Sequence, residues 1–126
     1  MITVAQAERV HALLVAEFGG ATGLRDPGGL EACLARPYQT FGGTDLIPTA
    51  TGKAAAMLES VIIRHPWLDG NKRTGFLAML AVLDEADIVL TAQKDEIYSL
   101  VIDVSTGSKS FEEIVEWLKK NTKAAG

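Results

Sequence analysis

No helix can pass unbroken through His65–Thr74, HPWLDGNKRT, yet the chain resumes directly behind it in one of its most apolar stretches, GFLAMLAVL. Pro66 has no backbone N–H and disfavours helical dihedrals in the residue before it, so a helix arriving from upstream ends near His65. Asp69-Gly70 is a turn dipeptide. The helix restarting after it leaves the amides of about Gly70 to Thr74 as the unpaired donors of an N-terminus. Such donors attract anions, the helix dipole adds fractional positive charge, and Lys72 and Arg73 add two full charges, so Gly70, Asn71, Lys72, Arg73 and Thr74 are the candidate phosphate binders.

Asp69 adjoins this anion site. A lone carboxylate beside phosphates is repelled unless a divalent cation bridges them, the usual manner in which Mg²⁺ is held, so Asp69 is the candidate metal ligand. His65, with an ordinary pKa of about 6.5, is the natural acceptor of a proton from a hydroxyl nucleophile. His65, Asp69, Lys72 and Arg73 are therefore the candidate catalytic group, and their chemistry matches phosphoryl or nucleotidyl transfer. Each also has a plain structural explanation: Asp-Gly-Asn is a common turn, Lys-Arg a common solvated pair, and a histidine before proline can cap a helix. Their coincidence in one loop favours chemistry.

The rest of the chain reads as helices. Thr3 with Gln6 forms a capping box, and the helix behind it places Val10, Leu13, Leu14 and Phe18 on one side before Gly19-Gly20 stops it. His11, on this helix, reads as a solvated or partly packed histidine. Asp26-Pro27 supplies an N-cap and a first-turn proline for a short helix that ends at Arg36-Pro37. Tyr38–Ala50 is the least regular stretch, with Gly42-Gly43 and Pro48 at turns, and as a surface loop it would be pinned by Phe41 and Ile47. Lys53–Arg64 is a helix with Met57, Leu58, Val61 and Ile62 inward. It delivers His65. Phe76–Leu83 is apolar on every side, which predicts a central rod buried all round. Ile88–Leu90 is a short connector, and Thr91 caps a helix carrying Ile97, Leu100, Val101 and Val104. Ser110 with Glu113 forms the clearest capping box, Lys119-Lys120 suit that helix's last turn, and Ala124–Gly126 reads as a frayed end. The expected architecture is all-α, a single compact domain of about six helices over residues 1–126, with the active loop at the N-terminus of a buried central helix.

Composition narrows the classes. A chain of 126 residues buries roughly two-thirds of its unfolded surface without staples. A net charge of −4 with a pI near 5.1 argues against direct nucleic-acid or membrane-surface binding, which needs clustered basic residues. No apolar run reaches the roughly 18 residues of a membrane span, and charged residues stand where a signal peptide would be apolar. The single cysteine, Cys33, allows no intramolecular disulfide and falls in the apolar pattern Leu30, Cys33, Leu34, which suits a reducing, cytoplasmic setting. With His11 and His65 the only histidines and no HExxH spacing, a multi-histidine metal hydrolase is poorly supported.

HPWLDGNKRT resembles the signature of the Fic/Doc superfamily, His-Pro-Phe-x-Asp/Glu-Gly-Asn-Gly-Arg-x-x-Arg, and within it the death-on-curing (Doc) branch, which carries Asn-Lys-Arg-Thr. Gly23–Pro37, GLRDPGGLEACLARP, is similar to an early block of the same family. Lys72 stands where adenylyl-transferring members have the second motif glycine, and Phe76 where they have the second arginine. A phenyl ring cannot clamp phosphate as a guanidinium does. Trp67 takes the motif's Phe position, with core packing its expected role.

The resemblance implies a toxin of a toxin–antitoxin system, a kinase that passes the γ-phosphate of Mg²⁺-bound ATP to a threonine of elongation factor Tu and so arrests translation. It further implies neutralisation by a cognate antitoxin whose disordered tail folds as a helix in a groove, and a flap formed by Tyr38–Ala50 that pairs with the target as an extra strand. Two alternatives remain beside this reading. One is transfer of AMP or another nucleotide moiety to a protein hydroxyl; the other is a non-catalytic partner-binding module that keeps the anion site without turnover.

Overall fold

A computed structural model describes all 126 residues. In chain order they form α1 (Val4–Phe18), α2 (Pro27–Ala35) running into a 3-10 turn at Arg36–Tyr38, β1 (Thr40–Phe41), β2 (Thr44–Asp45), α3 (Ala50–Arg64), α4 (Asn71–Glu85), β3 (Ile88–Leu90), α5 (Lys94–Ser105), α6 (Phe111–Lys120) and β4 (Thr122–Ala124). The six α-helices and all-α class are as the sequence predicts. No helix is long and apolar enough to cross a membrane.

The helix ends follow from their side chains. Thr3 and Gln6 close a capping box on α1, Asp26 accepts from the Gly29 amide at 2.9 Å to cap α2, and Ser110 with Glu113 closes the box on α6. The bonds from Ser110 hold the Glu113 carboxyl below the usual range. Thr91 does not cap α5. Gln93 and Glu96 do, while the Thr91 amide donates to Asn121 O at 2.7 Å and extends a small antiparallel sheet.

That sheet is β3 on β4, Ile88 opposite Ala124 and Leu90 opposite Thr122, and the Ala125 amide reaches Asp87 O at 2.7 Å. The expected connector and frayed end thus pair with each other and fasten α6 behind α4. The irregular stretch contains a tight hairpin, Thr40 opposite Asp45 and Phe41 opposite Thr44. Gly42 and Gly43 both take positive φ, +58° and +82°, the conformation a two-residue hairpin turn requires. Ile47 is half-buried, but Phe41 is 81% exposed and pins nothing. Lys53 anchors the hairpin's base instead, through Asp45 Oδ2 at 3.1 Å and the Ile47 carbonyl.

α3 and α4 form the centre together. α4 buries Thr74, Gly75, Ala78, Met79, Val82 and Leu83 but leaves Leu77 38% exposed, so it is not enclosed on every side. α3 is enclosed over more of its length: Ala54 through Leu58 are all fully buried, and Val61 and Ile62 continue the stripe. The two helices approach closely at Gly75, where a Cβ would lie 3.2 Å from the Ile62 side chain and 3.3 Å from that of Val61. On α1 the buried stripe is Ala7, His11 and Val15, whereas Leu13 and Phe18 are exposed. The expected apolar face of α1 is therefore rotated, with a histidine at its middle.

Cys33 is buried at the α2 side of the core, and burial pushes its thiol from 9.0 up to about 11. The neutral thiol is thus favoured by folding, a stabilisation present below pH 9 and lost as pH rises towards 11. Urea midpoints of the wild type are expected to fall more steeply above pH 9 than those of Cys33→Ala. Parallel slopes would show that Cys33 ionises as freely in the fold as out of it.

Candidate active site

The loop between α3 and α4 is held by the segment just before α2. His65, the last cap of α3, takes the left-handed conformation at φ 51° and ψ 59°, uncommon for a residue with a side chain, and its amide still donates to Val61 O at 3.2 Å. Arg25 holds it there. Its guanidinium donates to His65 O from Nε at 2.8 Å and to Arg64 O from Nη2 at 2.6 Å, placing a cation on the carbonyl end of α3. The amides of Arg25 and Asp26 both donate to Pro66 O, at 2.8 and 3.0 Å, and Leu68 N donates to Gly23 O at 3.1 Å. The two motif-like blocks of the sequence are thereby laced together, and His65 stands exposed at their edge.

Inside the loop, Asn71 is buried and bonds Trp67 twice: its Oδ1 accepts from Trp67 N at 3.0 Å and its Nδ2 donates to Trp67 O at 2.9 Å. The Asn71 side chain thus closes the loop, with both ends of its carboxamide committed, while its backbone amide stays at the open first turn of α4. Trp67 is 1% exposed, as core packing predicts. Its indole Nε1 donates to Glu8 Oε1 at 3.2 Å, and its rings stack on His11 with centroids 4.5 Å apart and planes 6° from parallel.

Asp69 is exposed and held from behind. Its Oδ2 accepts from the Ala21 amide at 2.8 Å, its backbone carbonyl accepts from His11 Nε2 at 2.7 Å, and its Oδ1 makes no bond within the chain. Gly70 follows at φ +80°. A Cβ there would come within 3.3 Å of the His11 ring, so the turn requires glycine for both conformation and space.

α4 begins at Asn71 with Gly70 as its cap and neither a capping side chain nor an acid in its first turn. The amides of Asn71, Lys72 and Arg73 have no partner within the helix. Thr74 differs: its amide donates to Gly70 O at 3.0 Å, its side chain is 2% exposed, and its hydroxyl finds no partner. With its amide bonded, Thr74 is not among the free first-turn donors expected there, and its side chain faces the cleft between α1 and α4, outside the cavity at the loop. His65, Asp69, Gly70, Lys72 and Arg73 do line one cavity, of about 210 Å³, completed by Leu68 and Asn71. The Arg73 guanidinium lies over the exposed Phe18 ring at 4.3 Å, which holds that cation at the rim.

The donor set suits a cation shared with phosphate. No cluster of three or more His, Cys, Asp or Glu side chains forms an all-protein site. Asp69 instead offers one unbonded carboxylate oxygen beside the amides and cations of α4, the single-carboxylate arrangement by which Mg²⁺ is held with substrate phosphates.

A family model described as "Fic/DOC family" matches residues 1–83, which include both laced blocks. The chain belongs to the Fic/DOC family. Toxin Doc of Mycolicibacterium smegmatis is 42% identical over 78 residues, an alignment covering 62% of this chain and 60% of that protein. The chain therefore aligns with about 60% of the length of that relative. The departures at Lys72 and Phe76 stand on α4 of this Fic/DOC domain, Lys72 in the cavity wall and Phe76 one turn on, against α5.

Two residues at the Fic/DOC site are not among the candidates, Arg25 although it lies in the block Gly23–Pro37, and His11. Arg25 is hidden because its partners are main-chain carbonyls forty residues away, and His11 because its partner is the Asp69 carbonyl. Asn71→Ala is expected to lower unfolding stability by about 1–3 kcal/mol, the cost of orphaning the buried Trp67 N–H and C=O. Unchanged stability in urea would instead place the carboxamide in solvent, free for phosphate.

Proposed function

We propose that this Fic/DOC domain is a Doc-type toxin that transfers the γ-phosphate of ATP to a hydroxyl of a translation protein, elongation factor Tu being the target the family resemblance suggests. The observation that carries the proposal is the convergence of His65, Asp69, Lys72 and Arg73 on one cavity at the uncapped start of α4. The first-turn amides with Lys72 and Arg73 receive the phosphates, and fixed dipoles at a helix start stabilise charge developing on them. Asp69, with Oδ1 unbonded, is the residue that would hold Mg²⁺, which when bound would supply neutralisation of part of the phosphate charge. His65, presented on a clamped helix end, accepts the proton of the acceptor hydroxyl as its oxygen bonds the γ-phosphorus and the bond to the β-phosphate oxygen breaks, releasing ADP.

Phosphoryl rather than nucleotidyl transfer is favoured by Phe76. It lines the cleft against α5 with Ile97, Tyr98 and Val101, beside Lys72, Arg73 and Lys94, and its phenyl ring supplies no second guanidinium at position 76 to grip the nucleotide. The β1–β2 hairpin, with Phe41 81% exposed and its outer edges unpaired, is suited to receive a target strand. The name of the M. smegmatis relative, Toxin Doc, supports the toxin assignment and with it a cognate antitoxin.

Incubation of the purified protein with bacterial lysate and ATP labelled at the α- or the γ-phosphate tests the reading. Label is expected on a lysate protein from γ-labelled ATP alone, and His65→Ala is expected to reduce transfer by at least about 100-fold, as loss of a general base does, with unfolding stability preserved. Label from the α-phosphate would replace the kinase reading with nucleotidyl transfer. No label from either would leave a binding module.

A further inference from the structure

We infer that His11, on a helix outside the motif, is the positioning residue of the Asp69–Gly70 turn and thereby of the Asp69 carboxylate; its catalytic consequence rests on the function proposed above, its structural consequence does not. Nothing about its place in the sequence suggests this, since a histidine in the middle of an amphipathic helix usually faces water or packs incidentally.

Three observations converge on the ring. His11 is 4% exposed, in line with Ala7 and Val15 on the inward face of α1, so α1 buries a ring nitrogen that must find a partner. The partner is the Asp69 carbonyl at 2.7 Å. A carbonyl only accepts, so Nε2 carries the proton and donates. The ring plane is set independently, by parallel stacking on Trp67, whose indole Nε1 is bonded to Glu8 one turn earlier on α1. Finally, the ring fills the space where a side chain at position 70 would stand, since a Cβ there would lie 3.3 Å from both Cδ2 and Nε2.

The consequence concerns Asp69. Its backbone is fixed by His11 from the middle of α1, and its carboxylate by the Ala21 amide just beyond the end of the same helix. Together the two bonds leave the side chain one orientation, with Oδ1 unbonded. Removing the first frees the peptide plane between Asp69 and Gly70 to rotate, since Gly70 has no Cβ to resist. The carboxylate then loses its alignment with the Ala21 amide, and the first turn of α4 its starting geometry. A contact of this kind acts on the reaction through position, because transfer chemistry depends on groups held near their working geometry before the substrate arrives.

Two substitutions separate hydrogen bond from packing. His11→Phe keeps a ring to stack on Trp67 and has no donor; His11→Gln gives up the ring but places an amide N–H close to where Nε2 was. Amide hydrogen exchange is measured for Ala21 and Leu68, which report the loop's two lacings, and for Leu118 in α6, which reports global unfolding. In His11→Phe the Ala21 and Leu68 amides are expected to exchange about tenfold faster than in wild type, the factor corresponding to one buried hydrogen bond, with Leu118 changed far less. His11→Gln is expected to restore most of the protection. In the transfer assay His11→Phe should lower kcat by about tenfold or more with KM for ATP changed less than about threefold, and His11→Gln should recover kcat, since a mispositioned carboxylate weakens the transition state more than substrate binding.

If wild-type protein transfers no phosphate, the kinase reading fails and exchange alone decides the role of His11. Wild-type exchange at Ala21 and Leu68 in His11→Phe, or equal acceleration in both variants, overturns the inference. Should His11→Phe not fold, His11→Asn replaces it, because its shorter amide cannot reach the Asp69 carbonyl. Protection in Asn equal to that in Gln would then sink the idea.

Discussion

Every backbone polar group of the loop between α3 and α4 that leaves water has to find a partner, and the loop supplies few of its own. Its neighbours do so instead: Arg25 covers the carbonyls of Arg64 and His65, the amides of Arg25 and Asp26 share Pro66 O, Gly23 O takes the Leu68 amide, and Asn71 closes both polar groups of Trp67. Unpaired buried backbone groups are rare because each costs about as much as a lost hydrogen bond. Satisfying them fixes the loop's dihedrals, including the left-handed His65. The site is therefore rigid for a structural reason, and the rigidity is available to chemistry.

Much of this was legible from residue order, and the remainder was hidden for identifiable reasons. Pro66 and Gly70 announce the break between α3 and α4, and the helix starts at Thr3, Asp26 and Ser110 follow from capping patterns. These are local rules, and local rules can be read from local sequence. The face of α1 could not be read, because Leu13 and Phe18 are more apolar than His11 yet lie outward, 65% and 57% exposed. What turns α1 is the need of the loop, far along the chain, for a donor at Asp69 O and a surface for Trp67. The strands failed for the same reason: Ile88–Leu90 makes an element only because Thr122–Ala124 returns beside it.

The candidate site shows the same division. His65, Asp69, Lys72 and Arg73 line one cavity as their spacing predicts, since a helix end, a turn and a first helical turn can hold them in few other ways. The side chains of Asn71 and Thr74 share that neighbourhood in sequence but turn inward. At the start of a helix successive side chains point about a third of a turn apart, so two of the four residues from 71 to 74 face inward where their neighbours face out. Which two is decided by the packing of α4 on α3 at Gly75 and on α1, neither of which the motif encodes.

The start of α4 is also the place where the fold forgoes stability. α1, α2, α3 and α6 begin with a hydroxyl or carboxylate accepting a first-turn amide, and α5 with Glu96 reaching back to its cap. α4 begins with a glycine, no capping side chain and two cations in its first turn, Lys72 and Arg73. Each departure works against the helix, a missing cap by about 1 kcal/mol and a cation at the positive end by a few tenths or more. The helix persists because Gly75, Ala78, Met79, Val82 and Leu83 bury its inner face. A cap would occupy the amides, and an acid in the first turn would repel the ligand. Under the function proposed above, leaving both out keeps this helix N-terminus open to the phosphates, and the buried face of α4 is what makes that exchange tolerable.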